Sequence, residues 1–216
     1  GWVKAVAKQL NTLQHVSNLY YTDKCACVAE ILCKRTGMKK VFFSNSGAES
    51  NEGAIKCARK YSFVKYGENR NKIITLVNSF HGRTVTTLAA TGQDVFHNYF
   101  YPFTQGFEYA AANDIEELKA KLTDDVCAVM MELIQGEGGV MPLDKDYVKQ
   151  VRQLCSEKDV ILIVDEVQTG VGRTGELFAF QSYGIMPDVV SVAKGIGGGL
   201  PLGRAMFSEK TENVFT

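Results

Sequence analysis

The sequence lacks the features that mark several classes of protein. Its 216 residues carry 24 Lys and Arg against 24 Asp and Glu, so the formal net charge is zero. Without a basic excess, binding to nucleic acid or to a membrane surface is not expected. The apolar runs are all too short for a membrane-spanning helix. With 45% apolar residues, the chain is also too apolar to be disordered.

Zinc and disulfide patterns are missing as well. The six cysteines include no C-x2-C pair, and Cys25-x-Cys27 has no second Cys/His pair nearby. We therefore predict no metal site, and reduced cysteines that mostly fill small buried spaces in a cytoplasmic protein. The opening Gly1-Trp2-Val3 shows neither a secretory leader nor a start Met, and we expect a trimmed or truncated chain.

The sequence does contain an alternation of helical patterns with short β-branched runs. Apolar spacing and capping signals predict helices over 3–16, 22–35, 48–66, 84–90, 114–122 and 144–157. Strands are predicted at 41–43, 72–77, 126–132, 160–164, 189–192 and 205–207, whereas the aromatic stretch 92–112 is expected to be a loop. This alternation is typical of the α/β class, with a mainly parallel sheet covered by helices on both faces.

Polar and glycine residues follow most of these strands. In open parallel sheets, ligands bind at the carboxyl ends of the strands. The segments at those positions are 44–48 (SNSGA), 78–84 (NSFHGRT), 132–139 (ELIQGEGG), 165–170 (DEVQTG) and 194–199 (KGIGGG). We therefore predict a cofactor site at this rim of the sheet.

One glycine motif at the rim could mislead. Residues 170–175 match G-x-G-x-x-G, the pattern of dinucleotide-binding folds. In those folds the glycines form the strand-to-helix turn itself, but here residues 165–169 intervene between the strand and the motif. No acidic residue ends a next strand about 20 positions on. The dinucleotide interpretation is therefore rejected.

Three features at the rim together fit pyridoxal phosphate. Lys194 stands before four glycines within five residues, which allow close backbone approach, and a lysine can form a Schiff base with the cofactor aldehyde. Asp165 ends a buried strand, and an acid can keep the pyridine nitrogen protonated. The helix that starts near Ala48 can bind a phosphate through its free N–H groups and its dipole.

The same segments resemble the class III (ω-amino acid) pyridoxal-phosphate aminotransferases. The resemblance lies in NSGAESNE (45–52), FHGRT (80–84), QGEGG (135–139), DEVQTGVGRTG (165–175) and KGIGGGLPLG (194–203), in the family's order and over nearly the whole chain. It implies the fold of the large domain of fold-type I pyridoxal-phosphate enzymes. Residues 1–216 would be that large domain alone, without the N-terminal arm and the C-terminal small domain.

The resemblance also implies roles around the cofactor. Gly47 and Ala48 would give backbone N–H groups to the phosphate. Phe80 and Val167 would pack on the two faces of the pyridine ring, and Asp165 would pair with the ring nitrogen.

Further roles follow from the same resemblance. Gln168 would hydrogen-bond the phenolic oxygen, and Lys194 would be the lysine that forms the Schiff base and later moves the proton. Arg83 would bind a substrate carboxylate, and Glu132 would lie near the cofactor and substrate. The others expected near the substrate are Glu137 and Tyr21, while His81 is interpreted as structural.

The reaction implied is the transfer of the terminal amino group of N2-acetylornithine to 2-oxoglutarate. Ornithine, succinylornithine and 4-aminobutyrate remain alternative donors, and a catalytically incomplete cofactor-binding domain is the alternative of another class. A homodimer with shared active sites is expected. Two positions depart from the family pattern, because Leu133 stands where proline is usual and Arg204 where a small residue is usual.

Overall fold

A computed structural model of the chain describes residues 1–17 and 19–215. Its helices are α1 (Trp2–Leu10), α2 (Asp23–Thr36), α3 (Gly47–Tyr66), α4 (Val85–Ala90), α5 (Ile115–Lys121), α6 (Lys145–Glu157) and α7 (Ala179–Tyr183). Its strands are β1 (Lys40–Ser44), β2 (Lys72–Leu76), β3 (Phe107–Ala110), β4 (Val126–Met131), β5 (Ile134–Gln135), β6 (Met141–Pro142), β7 (Ile161–Asp165), β8 (Val189–Val192) and β9 (Gly203–Phe207). Short 3-10 helices lie at Asp94–Phe96 and Lys194–Gly197. Within these ranges, no helix has the length and apolar character that crossing a membrane requires.

The main sheet is mixed but mostly parallel. In the described part of the chain, seven strands follow the order β1-β9-β8-β7-β4-β2-β3. The strands from β8 to β3 pair in parallel, whereas β9 is antiparallel to both β8 and β1. The predicted α/β fold with a mainly parallel sheet is therefore confirmed.

The central strand β7 shows how helices cover both faces of the sheet. Leu162 and Val164 belong to a core cluster with α2, α5, α6 and α7, whereas Ile161 and Ile163 belong to a cluster with α3 and α4. Successive residues of a strand point to opposite faces. Asp165, two residues after Ile163, is therefore directed to the face that α3 covers.

Some local predictions were wrong. Phe42 was expected in a buried strand but is 41% exposed, because β1 lies at the edge of the sheet. The aromatic stretch 92–112 contains β3, the strand at the opposite edge. The first helix ends at Leu10 rather than near residue 16.

Candidate functional site

A cavity of about 480 Å³ lies at the carboxyl ends of β2, β4, β7 and β8, beside the start of α3. Most of the predicted site residues line it, namely Gly47, Ala48, Phe80, Arg83, Glu132, Asp165, Val167, Gln168 and Lys194. Tyr21 is fully exposed to solvent, and both Tyr21 and Glu137 lie outside the described residues that line the cavity. The fold therefore brings together residues from five separate segments of the sequence.

The N-terminus of α3 forms one wall of this cavity. Ser46 is the N-cap residue, and its hydroxyl accepts a hydrogen bond from Glu49 N at 3.1 Å. The Glu49 carboxylate accepts hydrogen bonds from Asn45 N at 2.8 Å and Asn45 Nδ2 at 3.0 Å. This mutual capping fixes the first turn, while the N–H groups of Gly47 and Ala48 have no acceptor within the helix. With the helix dipole, they form a place suited to an anion.

Glycine at position 47 is required by close packing. A Cβ atom there would lie 2.8 Å from Cγ1 and 3.0 Å from Cγ2 of Val167. Ordinary side chains do not approach one another so closely, so the helix start and the loop after β7 can meet in this way only with glycine. The approach places Val167 next to the first turn of α3.

Asp165 is buried at the base of the cavity, with 3% of its surface exposed. Its Oδ1 accepts a hydrogen bond from Val167 N at 3.0 Å, and its Oδ2 accepts one from Asn51 Nδ2 at 2.8 Å. His81 Nδ1 lies 2.8 Å from the same Oδ2 atom. A carboxylate has about four lone-pair directions. Described residues thus occupy three of them, and one remains without a partner among those hydrogen bonds.

Two of these partners, Asn51 and His81, were not among the predicted site residues. His81 was interpreted as structural, yet its ring is buried against Asp165 and lines the cavity. Because the carboxylate accepts, Nδ1 of His81 carries the proton. Asn51 could have been found from its spacing, since it lies three residues after Ala48 and residues three apart share one face of a helix.

Glu132 is a second buried acid at the cavity. Its Oε2 accepts a hydrogen bond from Phe80 N at 2.9 Å, and its Oε1 accepts one from Gly136 N at 3.4 Å. Burial raises the pKa of Glu132 well above its ordinary value, and the nearby Asp165 charge adds to the increase, although His81 opposes it. Leu133, which stands where proline is usual, is fully buried, and the two hydrogen bonds to Glu132 are made with leucine at that position.

Lys194 lines the cavity two residues after the end of β8. Its φ of +47° lies in the left-handed region, which is uncommon for a residue with a side chain. Such backbone strain is concentrated at functional sites. The next glycines leave room for close contacts, since a Cβ atom at Gly198 would lie 3.0 Å from Nε1 of Trp2. Lys194 is exposed and lines the cavity.

Aromatic rings accompany the arginine at the cavity mouth. The guanidinium carbon of Arg83 lies 5.8 Å from the ring centroid of Phe80 and 5.5 Å from that of Phe96. The two rings pack edge to face at 5.3 Å. Arg83 is thus oriented by cation–π contacts while its side chain stays exposed, which suits it to binding a carboxylate.

Glu137 reaches the site indirectly, through Gln168. Gln168 Nε2 donates a hydrogen bond to Glu137 Oε1 at 3.4 Å. Arg204 lies outside the cavity lining and packs over the ring of Phe43 at 5.1 Å, where burial lowers its pKa. All six cysteines are free, and among residues 1–17 and 19–215 no three His, Cys, Asp or Glu side chains are grouped to hold a metal ion.

Comparison with known proteins identifies the family of the chain. Residues 2–216 match the family model described as Aminotransferase class-III. The chain belongs to the class III aminotransferase family. It is 55% identical over 210 residues to an acetylornithine aminotransferase of Haemophilus ducreyi, covering 97% of this chain and 53% of that protein.

Solved structures of aminotransferases share the fold. An N-acetylornithine aminotransferase from Stenotrophomonas maltophilia is 39% identical with a TM-score of 0.84, over 98% of this chain and 53% of that one. An ornithine aminotransferase from Toxoplasma gondii, with pyridoxal phosphate at partial occupancy in its active site, is 32% identical with a TM-score of 0.93, over 99% of this chain and 52% of that one. The chain thus spans about half the length of the relatives it matches.

Class III aminotransferases use pyridoxal 5′-phosphate, and the described residues fit that cofactor. The capped turn of α3 suits the phosphate, and the remaining lone pair of Asp165 suits a ring nitrogen that carries a proton. The amine of Lys194 suits an aldehyde, because amines and aldehydes form Schiff bases. All three groups line the same cavity.

Proposed function

We propose that the protein carrying this chain is a pyridoxal-phosphate-dependent aminotransferase that moves the terminal amino group of N2-acetylornithine to 2-oxoglutarate. The products are N-acetylglutamate 5-semialdehyde and glutamate, and the reaction serves arginine biosynthesis. The observation that carries the proposal is a single cavity that combines an exposed lysine, a buried aspartate held by three donors, and the start of a capped helix. The acetylornithine aminotransferases among its relatives support the choice of donor.

Pyridoxal phosphate, when bound, supplies an aldehyde for the amine and a ring that accepts electron density. In this proposal Gly47 and Ala48 bind the phosphate, and Val167 contacts the ring opposite Phe80. Asp165 holds the proton on the ring nitrogen.

The remaining residues act on the oxygen atoms and the substrate. Gln168 binds the phenolic oxygen, and Lys194 removes and returns the proton at the amine-bearing carbon of the donor. Arg83 binds the substrate carboxylate through its planar fork. Glu132 and Glu137 lie near the substrate in this proposal. Tyr21 contacts the substrate after its exposed ring moves toward the cavity in the assembled protein.

A homodimer is also proposed. Tyr99, Phe100 and Tyr101 are exposed by 94%, 63% and 73%, and large apolar patches of this kind mark interfaces. In the proposed dimer, each partner contributes residues to the other's site. A cytoplasmic location is proposed from the six free cysteines, which are typical of a reducing compartment.

A coupled assay tests the proposal. The protein carrying this chain is incubated with pyridoxal phosphate, 2-oxoglutarate and one donor at a time, and glutamate formation is measured. We expect the highest kcat/KM with N2-acetylornithine, and no turnover in the Lys194→Ala variant. The exposed Lys149→Ala variant is the matched control and should retain activity.

The same assay distinguishes the alternative functions. A higher kcat/KM with ornithine, succinylornithine or 4-aminobutyrate would replace the proposed donor with that compound. Cofactor binding without glutamate formation from any donor would identify a catalytically incomplete cofactor-binding domain.

A further inference from the structure

We propose that Asn51 is a positioning residue, whose amide holds the Asp165 carboxylate in the orientation that meets the cofactor ring. This inference rests on the proposed function, in which Asp165 contacts the ring nitrogen. Asn51 is 1% exposed and lines the cavity from α3, one turn after Ala48.

The Asn51 amide makes two short hydrogen bonds to different segments. Its Nδ2 donates to Asp165 Oδ2 at 2.8 Å and to His81 O at 2.7 Å. An amide nitrogen has two hydrogens, so both are used. One side chain of α3 therefore connects the end of β7 with the loop that follows β2.

The orientation of this amide is fixed by its partners. If the amide were rotated by half a turn, Oδ1 of Asn51 would face two acceptor oxygens, which would be repulsive. In the observed orientation Oδ1 has no hydrogen-bond partner within the described part of the chain. A buried acceptor without a partner is unfavourable. The amide nevertheless adopts this orientation, which indicates that the two hydrogen bonds donated by Nδ2 determine it.

Helix α3 carries both Asn51 and the turn proposed to bind the phosphate. Ala48 belongs to the turn assigned to the phosphate, and Asn51 lies on the same face of α3 because residues three apart align. A single rigid helix thus fixes the distance between the phosphate end of the cavity and Asp165. Other ionisable groups around Asp165 are His81 and Glu132, with Lys194 on the same cavity.

A cofactor-free experiment tests the contact itself. The variants Asn51→Leu, Asp165→Ala and their combination are unfolded in urea at constant pH. If Asn51 holds Asp165, Asn51→Leu should lower the urea concentration at the unfolding midpoint clearly less when Asp165→Ala is already present. Should the leucine variant fail to fold, Asn51→Ser repeats the comparison with a side chain too short to reach.

The control lies on the same helix. Ser62 is buried, and its Oγ donates to Arg70 O at 2.7 Å, away from the cavity. Ser62→Ala should lower the midpoint equally with and without Asp165→Ala. If Asn51 behaves in the same additive way as Ser62, the inference is overturned.

A binding experiment then tests the role toward the cofactor. Trp2, the single tryptophan, reports binding by its fluorescence, because it contacts the glycine segment after Lys194. Pyridoxal phosphate is compared with its 1-deaza analogue, which lacks the ring nitrogen. Asn51→Leu should weaken binding of pyridoxal phosphate by about tenfold or more but leave the analogue nearly unaffected.

Equal weakening for both ligands would overturn the role, because Asn51 would then act elsewhere than at the ring nitrogen. If neither ligand binds the unsubstituted protein, the proposed function fails, and the urea comparison still decides whether Asn51 holds Asp165.

Discussion

Replacing Gly203 by alanine should push the start of α3 away from the sheet. A Cβ atom at Gly203 would lie 2.2 Å from Ser46 O and 2.4 Å from Ser50 Oγ. A carbon and an oxygen in contact need roughly 3.3 Å, so strand and helix must separate by about 1 Å. The nearest atom is a backbone oxygen of the N-cap residue, which cannot rotate away.

The magnitude follows from two opposing effects. Overpacking of this kind costs about 3 kcal/mol, whereas replacing glycine in a strand by alanine returns about 0.5–1 kcal/mol of conformational entropy. The net loss is about 2 kcal/mol, which for a domain of this size lowers the melting temperature by about 4–8 °C.

Thermal unfolding followed by circular dichroism measures this effect, and Gly53→Ala is the control. Gly53 lies inside α3, and a Cβ atom there would meet Phe42 at 3.5 Å, an ordinary contact. Gly53→Ala should therefore raise the stability by about 1 kcal/mol through helix propensity. A Gly203→Ala variant as stable as the unsubstituted protein would refute the reasoning.

Three further predictions concern charge and the anion site. Burial raises the pKa of Glu132 in the folded state, so the folded protein loses stability as pH rises through that raised pKa. Glutamine has no such titration, so the free energy of unfolding of Glu132→Gln, relative to that of the unsubstituted protein, should increase between pH 5 and 8 in urea unfolding. Partial burial raises the pKa of Asp159, but hydrogen bonds from Lys65, Tyr66 and Lys210 lower it more, so the net pKa lies below its ordinary value. The stability that the ionised Asp159 contributes to the folded state is therefore lost as pH falls below about 3.9. Asp159→Asn should thus cost about 2 kcal/mol at pH 7 and less at pH 3, in the same assay. Gly47→Ala should weaken pyridoxal phosphate binding by about tenfold or more in fluorescence titration, because the new Cβ meets Val167 and must displace the start of α3 from the loop after β7.

The meeting of Asp165 and Lys194 could be predicted from the sequence because both positions follow from strand ends. Once the apolar runs at 160–164 and 189–192 are interpreted as parallel strands, Asp165 and Lys194 must come to the same rim. The structure gathers both at one cavity. The same alternation within β7 directs Asp165 toward α3, without any reference to distant contacts.

The features that the sequence does not predict depend on strand order and on contacts between residues far apart in the sequence. The apolar run at 41–43 has the composition of a buried strand, but strand order alone decides that β1 is an edge and leaves Phe42 exposed. β3 was missed because its aromatic residues resemble those of the preceding loop. The contact of Asn51 with Asp165 joins positions 114 residues apart, so only the fold shows which polar side chain of α3 meets the acid.

The central claim is that Lys194 bonds the cofactor within this cavity, and borohydride reduction tests it most directly. The protein carrying this chain is saturated with pyridoxal phosphate, reduced, digested and mapped by mass spectrometry. The account predicts a pyridoxyl label on Lys194 that is lost in Lys194→Ala and kept in the exposed Lys149→Ala. A label on a different lysine, or no label on protein that binds the cofactor, would contradict it.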